Sequence, residues 1–405
     1  MAKKLTMENT NLPVRWEMKT IGEVCDVRDG THDSPKYQDE GYPLITSKNL
    51  KNGKIVYNKV KYISENDFKH INKRSKVDIG DILFAMIGTI GNPVVVVNKP
   101  NYAIKNVALF KVGELLDSNY LKYYLSSQFV IDKMQREAKG TTQKFVGLGY
   151  LRKFSIPLPP LTQQKQILAI LDKAFAAIDT AKANAEQNLQ NAKELFESYL
   201  QNVFENKGED WEEKKLDEVC EITSKLIDPK ESEYQNLIHI GAGNIVSEKG
   251  TLIKLKTAKE EKLISGKFLF DESMVLYSKI RPYLMKIVKC EFKGLCSADI
   301  YPLVPFKNKI TQSFLYHLLS SNHFTEYAIK GSQRAGMPKV NRKHLFDFSF
   351  YCPSIEEQKQ IIRKLDSLSA ETKKLESIYT QKIADLEEMK KSVLQKAFSG
   401  QLSEL

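Results

Sequence analysis

The clearest pattern along this chain is a pair of long stretches without glycine or proline in which apolar residues return at alternating steps of three and four. The first runs from 161 to 207, between Pro160 and Gly208. The second runs from 354 to 399, between Pro353 and Gly400. In the first, Leu168, Leu171, Phe175, Ile178, Ala185, Leu189, Ala192, Phe196, Tyr199 and Val203 keep the alternation, with Lys182 the polar exception. In the second, Leu365, Leu368, Leu375, Tyr379, Leu386, Met389 and Val393 keep it, with Thr372 and Lys382 as exceptions. Such a seam predicts coiled-coil helices, each roughly 70 Å long at 1.5 Å per residue. Proline before and glycine after each stretch are the breakers expected at helix ends.

The two stretches match one another at an offset of 194. Pro159 falls on Pro353, Gln164-Lys165-Gln166-Ile167 on Gln358-Lys359-Gln360-Ile361, and Leu171-Asp172 on Leu365-Asp366. Ser198, Leu200, Gln201 and Phe204 fall on Ser392, Leu394, Gln395 and Phe398. The preceding regions match more weakly. Trp16-Glu17 and Glu23-Val24-Cys25 pair with Trp211-Glu212 and Glu218-Val219-Cys220, Leu125-Ser126-Ser127 with Leu319-Ser320-Ser321, and the run from Asp81 to Phe84 with that from Met274 to Tyr277. An internal repeat of this length sets the domain plan: a globular domain over 1–158, a helix over 159–207, a second globular domain over 208–352 and a second helix over 353–405. The internal match favours pairing of the two helices within the chain over ordinary core helices or a homodimer zipper. An antiparallel pair with a pseudo-two-fold axis is expected, with the tail from Gly400 to Leu405 returning towards the first domain.

Between the helices the pattern is mixed. Short apolar runs predict strands at 43–45, 82–86, 94–97, 108–112, 237–240, 275–278 and 284–288. Amphipathic runs predict helices at 118–128 and 311–322. The expected fold class is α+β: two mixed α/β recognition domains separated by an antiparallel coiled coil.

Charge sharpens this picture. The net charge of +11 is carried by the globular parts: +9 over 1–160 and +3 over 208–353, against −1 over 161–207 and zero over 354–405. A membrane-surface protein with basic helices would show the reverse; a phosphate-facing surface on each domain fits. The five cysteines are odd in number and form no C-x-x-C, which predicts reduced, buried thiols. The first residues carry lysines without an apolar run behind them, and no window approaches the ~18 apolar residues of a membrane helix. A cytoplasmic chain is expected.

Enzyme signatures are weak. His239-Ile240-Gly241-Ala242-Gly243-Asn244 resembles a nucleotide-binding turn, but 245–255 reads as a hairpin where a helix would be needed. Asn92-Pro93-Val94 lacks the second proline and aromatic residue of an adenine methyltransferase motif, there is no P-loop, and the six histidines show no metal-ligand spacing.

Two segments carry a family resemblance. Gly140-Thr141-Thr142-Gln143-Lys144, followed by the run from Ile156 to Ile167, is similar to the end of a recognition domain and the start of the long helix in specificity subunits of type I restriction–modification systems. Asp29 to Tyr37 and Gly41 to Ile45 resemble the opening of such domains. The second domain departs from the pattern, with Gly331 to Lys339 in place of the Gly-Thr-Thr-Gln run. The resemblance implies a non-catalytic DNA-reading subunit. Its two domains would read the halves of a split target in double-stranded DNA, and its helix pair would set the unread spacer. It would bind no cofactor itself. Two methyltransferase subunits would carry S-adenosylmethionine and methylate adenine, and restriction subunits would use ATP and Mg. A stand-alone bivalent DNA-binding or scaffold protein is the alternative.

Candidate DNA contacts are Thr31, His32, Ser47, Lys48, Asn49, Thr142, Gln143, Lys144, Lys279, Arg281, Gln333, Arg334 and Lys339. All are polar residues in Gly- and Ser-rich loops or just after strands, able to offer hydrogen bonds to bases or phosphates. A turn cap or a solvated salt bridge is the competing role for each. Gln163, Gln164, Lys165, Gln358 and Lys359 are candidates to face a partner subunit or, equally, solvent. Trp16 and Trp211 read as packing residues.

Overall fold

The computed structural model describes residues 12–206, 208–222, 225–333 and 336–402. The chain divides into two compact units, 1–185 with 381–405, and 186–380. Each unit therefore takes one globular domain and a segment of each long helix, Leu161–Glu205 and Ile355–Phe398.

In the first unit a four-stranded antiparallel sheet has the order Cys25–Asp29, Val107–Val112, Ile82–Ala85, Gly91–Val95. Its two central strands are apolar on both faces because both faces are covered. Ile82, Phe84, Ala108 and Phe110 point into a core shared with the helices. Leu83, Ala85, Val107 and Leu109 point into a second core, beneath loops and short strands. Beyond that second core Tyr42–Ile45 pairs antiparallel with Lys61–Ile63 and parallel with Ala103–Ile104. The helical side holds Ser118–Ser126, Gln128–Glu137 and Leu148–Lys153. Asp117 caps the first of these by accepting from Asn119 N at 2.8 Å. Glu17–Thr20 and Ser155–Leu158 form a two-stranded ribbon leading into the long helix.

The second unit repeats this plan. Its antiparallel sheet runs Cys220–Ile222, Ile300–Pro305, Val275–Ser278, Ile287–Lys289. Its helices are Gln312–Leu319, Asn322–Lys330 and Arg342–Phe346, and its ribbon joins Glu212–Lys215 to Ser349–Cys352. It differs in its second sheet, where five strands replace three by adding Leu226–Ile227 and Lys267–Phe270.

Within the first unit the helix segments run antiparallel, since Lys182 pairs with Glu387 while Asp179 accepts from Lys390 at 2.9 Å. Ile167, Leu171, Phe175 and Ile178 share a core with Leu394, Ala397 and Phe398. Phe398 packs edge-on to Tyr120 and Tyr124 at 5.1 Å each, so the end of the second helix does return to the first domain, as expected. In the second unit Leu200 and Phe204 share a core with Ile362 and Leu365, and Phe204 meets Phe314 at 5.2 Å.

The seam of the first helix follows the expected positions. That of the second needs a correction: Leu375 and Met389 are exposed. The set Leu365, Thr372, Tyr379, Leu386, Val393 does turn inward. It alternates, however, with Ile362, Ser369, Glu376, Ile383, Lys390 and Ala397, while Leu375, Lys382 and Met389 are exposed and Leu368 is half-buried like Ser369. Amphipathic side chains explain the misreading: the ammonium of Lys390 lies over the Phe175 ring, 4.9 Å from its centroid, so a formally polar residue occupies a seam position. All five cysteines are buried and free. No described helix is long and apolar enough to cross a membrane.

Candidate nucleic-acid interface

Each four-stranded sheet has one end committed to the long helix and one end that is not. In the first unit Gln164, wholly buried, stands at the committed end. Its Oε1 accepts from Asp117 N at 2.8 Å, and its Nε2 donates to Leu115 O at 2.9 Å and Pro159 O at 2.8 Å. Gln358, also wholly buried, repeats the arrangement on Thr311 N, Lys309 O and Pro353 O. The proposed partner-facing role of these two glutamines is thus corrected: every polar atom of each amide is spent on fastening helix to sheet. Gln163 accepts from Trp16 Nε1 at 3.0 Å, and Glu357 accepts from Trp211 Nε1 at 2.8 Å, which makes both tryptophans packing residues. Lys165 is exposed. Lys359 is exposed too, and pairs with Glu356 at 2.7 Å.

At the opposite end the chain leaves the sheet at Asp29 and Ala85 and re-enters at Val107 and Gly91. Antiparallel pairing thus gathers the loops after residue 29, over 86–90 and over 105–106. The 139–145 loop joins them through a bridge between Ile87 and Phe145, with Gly88 N donating to Lys144 O at 2.9 Å and Val146 N to Met86 O at 3.0 Å. Thr142, Gln143 and Lys144 are exposed here. With Gly88, Ile90 and Gln135 they line a shallow depression of about 280 Å³. Gly88 has φ +77°, and a side chain there would press on Gln143 Nε2 at 2.9 Å.

The candidates after Asp29 are brought to the same end. Both ring nitrogens of His32 are engaged, Nδ1 with Asn106 Oδ1 and Nε2 with Asp29 Oδ2, each at 2.8 Å; the buried Asp29 also pairs with Arg74. Thr31 Oγ1 accepts from Asp33 N at 3.1 Å, Ser47 Oγ donates to Asn106 O at 3.2 Å, and Lys48 is exposed beside it. Asn49 is a correction. It is buried, its Oδ1 accepts from Thr46 N at 3.0 Å and its Nδ2 donates to Val56 O at 3.0 Å, so it builds the turn and has nothing left for DNA.

The second unit assembles the same ladder from different residues. A bridge joins Ile280 to Lys339, Arg281 N donates to Pro338 O at 2.9 Å, and Val340 N donates to Lys279 O at 2.9 Å. Arg281 therefore stands where the first unit has Gly88, and it keeps the left-handed backbone with φ +52°. Lys279 stands where the first unit has buried Met86. It too is a correction as a free DNA contact: it is buried, its ammonium donates to Ala298 O and lies 3.5 Å from Asp299 Oδ1 and 5.1 Å from the Tyr301 centroid. Burial pushes its pKa down, and the neighbouring Lys339 adds to this. Lys339 Nζ is 3.9 Å from Asp299 Oδ1, and Gln333 and Arg281 are exposed. Arg334 lies outside the described residues.

Sequence reasoning missed Asn106 and Asp299, which immediately precede the equivalent central strands Val107–Val112 and Ile300–Pro305. The offset of 193 that aligns Asp81 with Met274 also aligns Asn106 with Asp299, so extending the repeat alignment by two dozen residues would have found the pair. The nucleotide-turn reading of 239–244 fails on geometry, because the Asn244 side chain accepts from Gly241 N at 2.8 Å and an Ile245–Leu252 bridge follows. No group of His, Cys, Asp and Glu among the described residues could hold a metal ion.

Comparison with known proteins agrees with this duplicated plan. Residues 13–191 and 208–387 each match the family model of the type I restriction modification DNA specificity domain. The specificity subunit of the type I restriction enzyme EcoDI of Escherichia coli is 28% identical, over 98% of this chain and 91% of its own length. That of MjaVIII from Methanocaldococcus jannaschii is 25% identical, over 98% and 95%. Among solved structures, a chain from a study of complex assembly and conformational transition of a type I R-M system superposes with a TM-score of 0.75 at 20% identity, covering 96% of this chain and 99% of that one. The HsdS subunit from Thermoanaerobacter tengcongensis gives 0.65 at 19%, covering 98% and 100%. At these identities the likeness to the solved structures is one of fold.

Proposed function

This chain belongs to the type I restriction modification DNA specificity family and is non-catalytic, and from that premise we propose that its two units read the two halves of a split duplex DNA target. The observation that carries the reading is the duplicated free sheet end. In both units one end is locked to the long helix by a buried glutamine, while the other presents exposed Gln, Lys or Arg on a ladder of loops. The ladder is kept while its side chains change, Gly88 to Arg281 and Met86 to Lys279, which is the behaviour of a scaffold that reads different sequences. In this reading Thr31, His32, Ser47, Lys48, Thr142, Gln143 and Lys144 serve one half-site, and Arg281, Gln333, Arg334 and Lys339 the other. Two adenine methyltransferase subunits carrying S-adenosylmethionine dock with the chain, Lys165 and Lys359 being available on exposed helix faces. ATP- and Mg-dependent restriction subunits complete the complex in the cytoplasm.

The test is co-purification with an adenine methyltransferase subunit from the same host, then methylome sequencing with and without the chain. Methylated adenines within one split motif, lost when the chain is removed, are expected. No complex and an unchanged methylome would overturn the reading in favour of stand-alone DNA binding.

A further inference from the structure

The free end of the second sheet carries a carboxylate where a phosphate-facing surface should have none. Asp299 directly precedes the strand Ile300–Pro305. Its backbone oxygen accepts from Lys279 N at 3.1 Å, and its side chain remains 53% exposed. One oxygen, Oδ1, faces two ammonium groups, Lys279 Nζ at 3.5 Å and Lys339 Nζ at 3.9 Å. Lys279 is held in turn by Ala298 O and by the Tyr301 ring. The second oxygen, Oδ2, has no hydrogen-bond partner among the described residues.

A carboxylate beside DNA is repelled by the phosphates, so a position there is unfavourable unless it meets a donor. In the major groove the donors are the exocyclic amino groups, N4 of cytosine and N6 of adenine. The two lysines reduce the repulsion and stand against one oxygen, which leaves the other open to accept a hydrogen bond. The first unit has Asn106 at the equivalent place, already tied to His32 and Thr31. The two units therefore offer different chemistry from one scaffold position.

We propose that Asp299 is a specificity-determining residue of the second unit, accepting a hydrogen bond from the exocyclic amino group of one base, with Lys279 and Lys339 as positioning residues. The proposal rests on the reading that this sheet end faces DNA.

The experiment uses the full chain assembled with its methyltransferase partner and compares the methylomes of wild type, Asp299→Asn, Asp299→Ala and Arg281→Ala, with thermal unfolding of each. For both Asp299 variants we expect one position of one half-site to become degenerate, with preference for its base falling about ten-fold or more, while the other half-site is unchanged. Whether that position is cytosine or adenine in the wild type identifies the amino group. A uniform loss of methylation with no relaxed position would make Asp299 structural and overturn the proposal, and Asp299→Asn, which preserves shape, guards against misfolding as its cause. An altered half-site in Arg281→Ala alone would overturn the proposal and leave the DNA-facing reading standing. A motif untouched by all three variants would overturn both.

Discussion

At the residue scale, the buried glutamines show how a polar side chain can be structural and invisible as such in a sequence. Periodicity marks apolar seams; it does not distinguish a solvated Gln from one that joins three backbone groups. Gln164 and Gln358 were legible as a matched pair, but their role depends on carbonyls and amides some five and nearly fifty residues away. Replacing either by Ala strands a buried amide and two carbonyls, which costs about 1–3 kcal/mol, a fall in Tm of roughly 2–12 °C for a unit of this size. Lys165→Ala and Lys359→Ala, at exposed sites, should stay within about 0.5 kcal/mol. Thermal melts that rank the lysine variants equal to the glutamine variants would refute the fastening role. His317 gives a second test. Burial, helped by Lys289 and opposed by Asp366 at 3.9 Å, lowers its pKa to about 4. The unfolded chain binds this proton near pH 6.5 and the folded chain only near 4. The stabilisation is complete above pH 6.5 and is lost as pH falls to 4, amounting to at most about 3 kcal/mol. Urea denaturation of His317→Gln should show a flatter stability profile across that window, and parallel profiles would exclude the assignment.

At the scale of elements, the apolar runs near 82–86, 108–112 and 275–278 were readable because those strands are covered on both faces. The edge strands Cys25–Asp29 and Cys220–Ile222 were not, since alternation over so few residues is a faint signal. The helices beginning at 118 and 312 were read from their amphipathic runs alone; their N-caps, Asp117 and Thr311, are shown by the structure. The turn that carries the candidate site was the least legible, because its backbone conformation is shared by Gly88 and Arg281 while their side chains share nothing. That turn supports a prediction with opposite signs for stability and binding. Arg281→Gly removes a side chain from a left-handed conformation that disfavours it by about 1 kcal/mol, so the fold should be unharmed or slightly stabilised. If the side chain meets DNA, affinity should nonetheless fall roughly five-fold or more. Fluorescence anisotropy of the assembled complex, beside its melting curve, reads both quantities. Unchanged affinity would remove Arg281 from the interface.

At the scale of the whole molecule, what the sequence carried best was repetition and the placement of charge, because neither depends on loop geometry. A basic excess of +9 over 1–160 against +3 over 208–353 means that the non-specific, phosphate-driven part of binding should come mainly from the first domain. Counterion release turns this into a measurement, since log K falls linearly with log salt at a slope of about −0.9 per phosphate neutralised. Lys139 and Lys144 are exposed at the free sheet end of the first unit. Replacing both by Ala should flatten the slope by about two and weaken binding to all sequences alike. The methylated motif should not change, because a point charge on a phosphate carries no base information. Titration of the assembled complex with duplex DNA between 50 and 200 mM salt separates the possibilities. A flattened slope with an intact motif places these lysines on the backbone. A relaxed motif would instead make one of them a base reader, moving it beside Gln143 in function. An unchanged slope would mean that these two lysines do not face DNA phosphate, and it would count against the free sheet end of the first unit as a DNA surface.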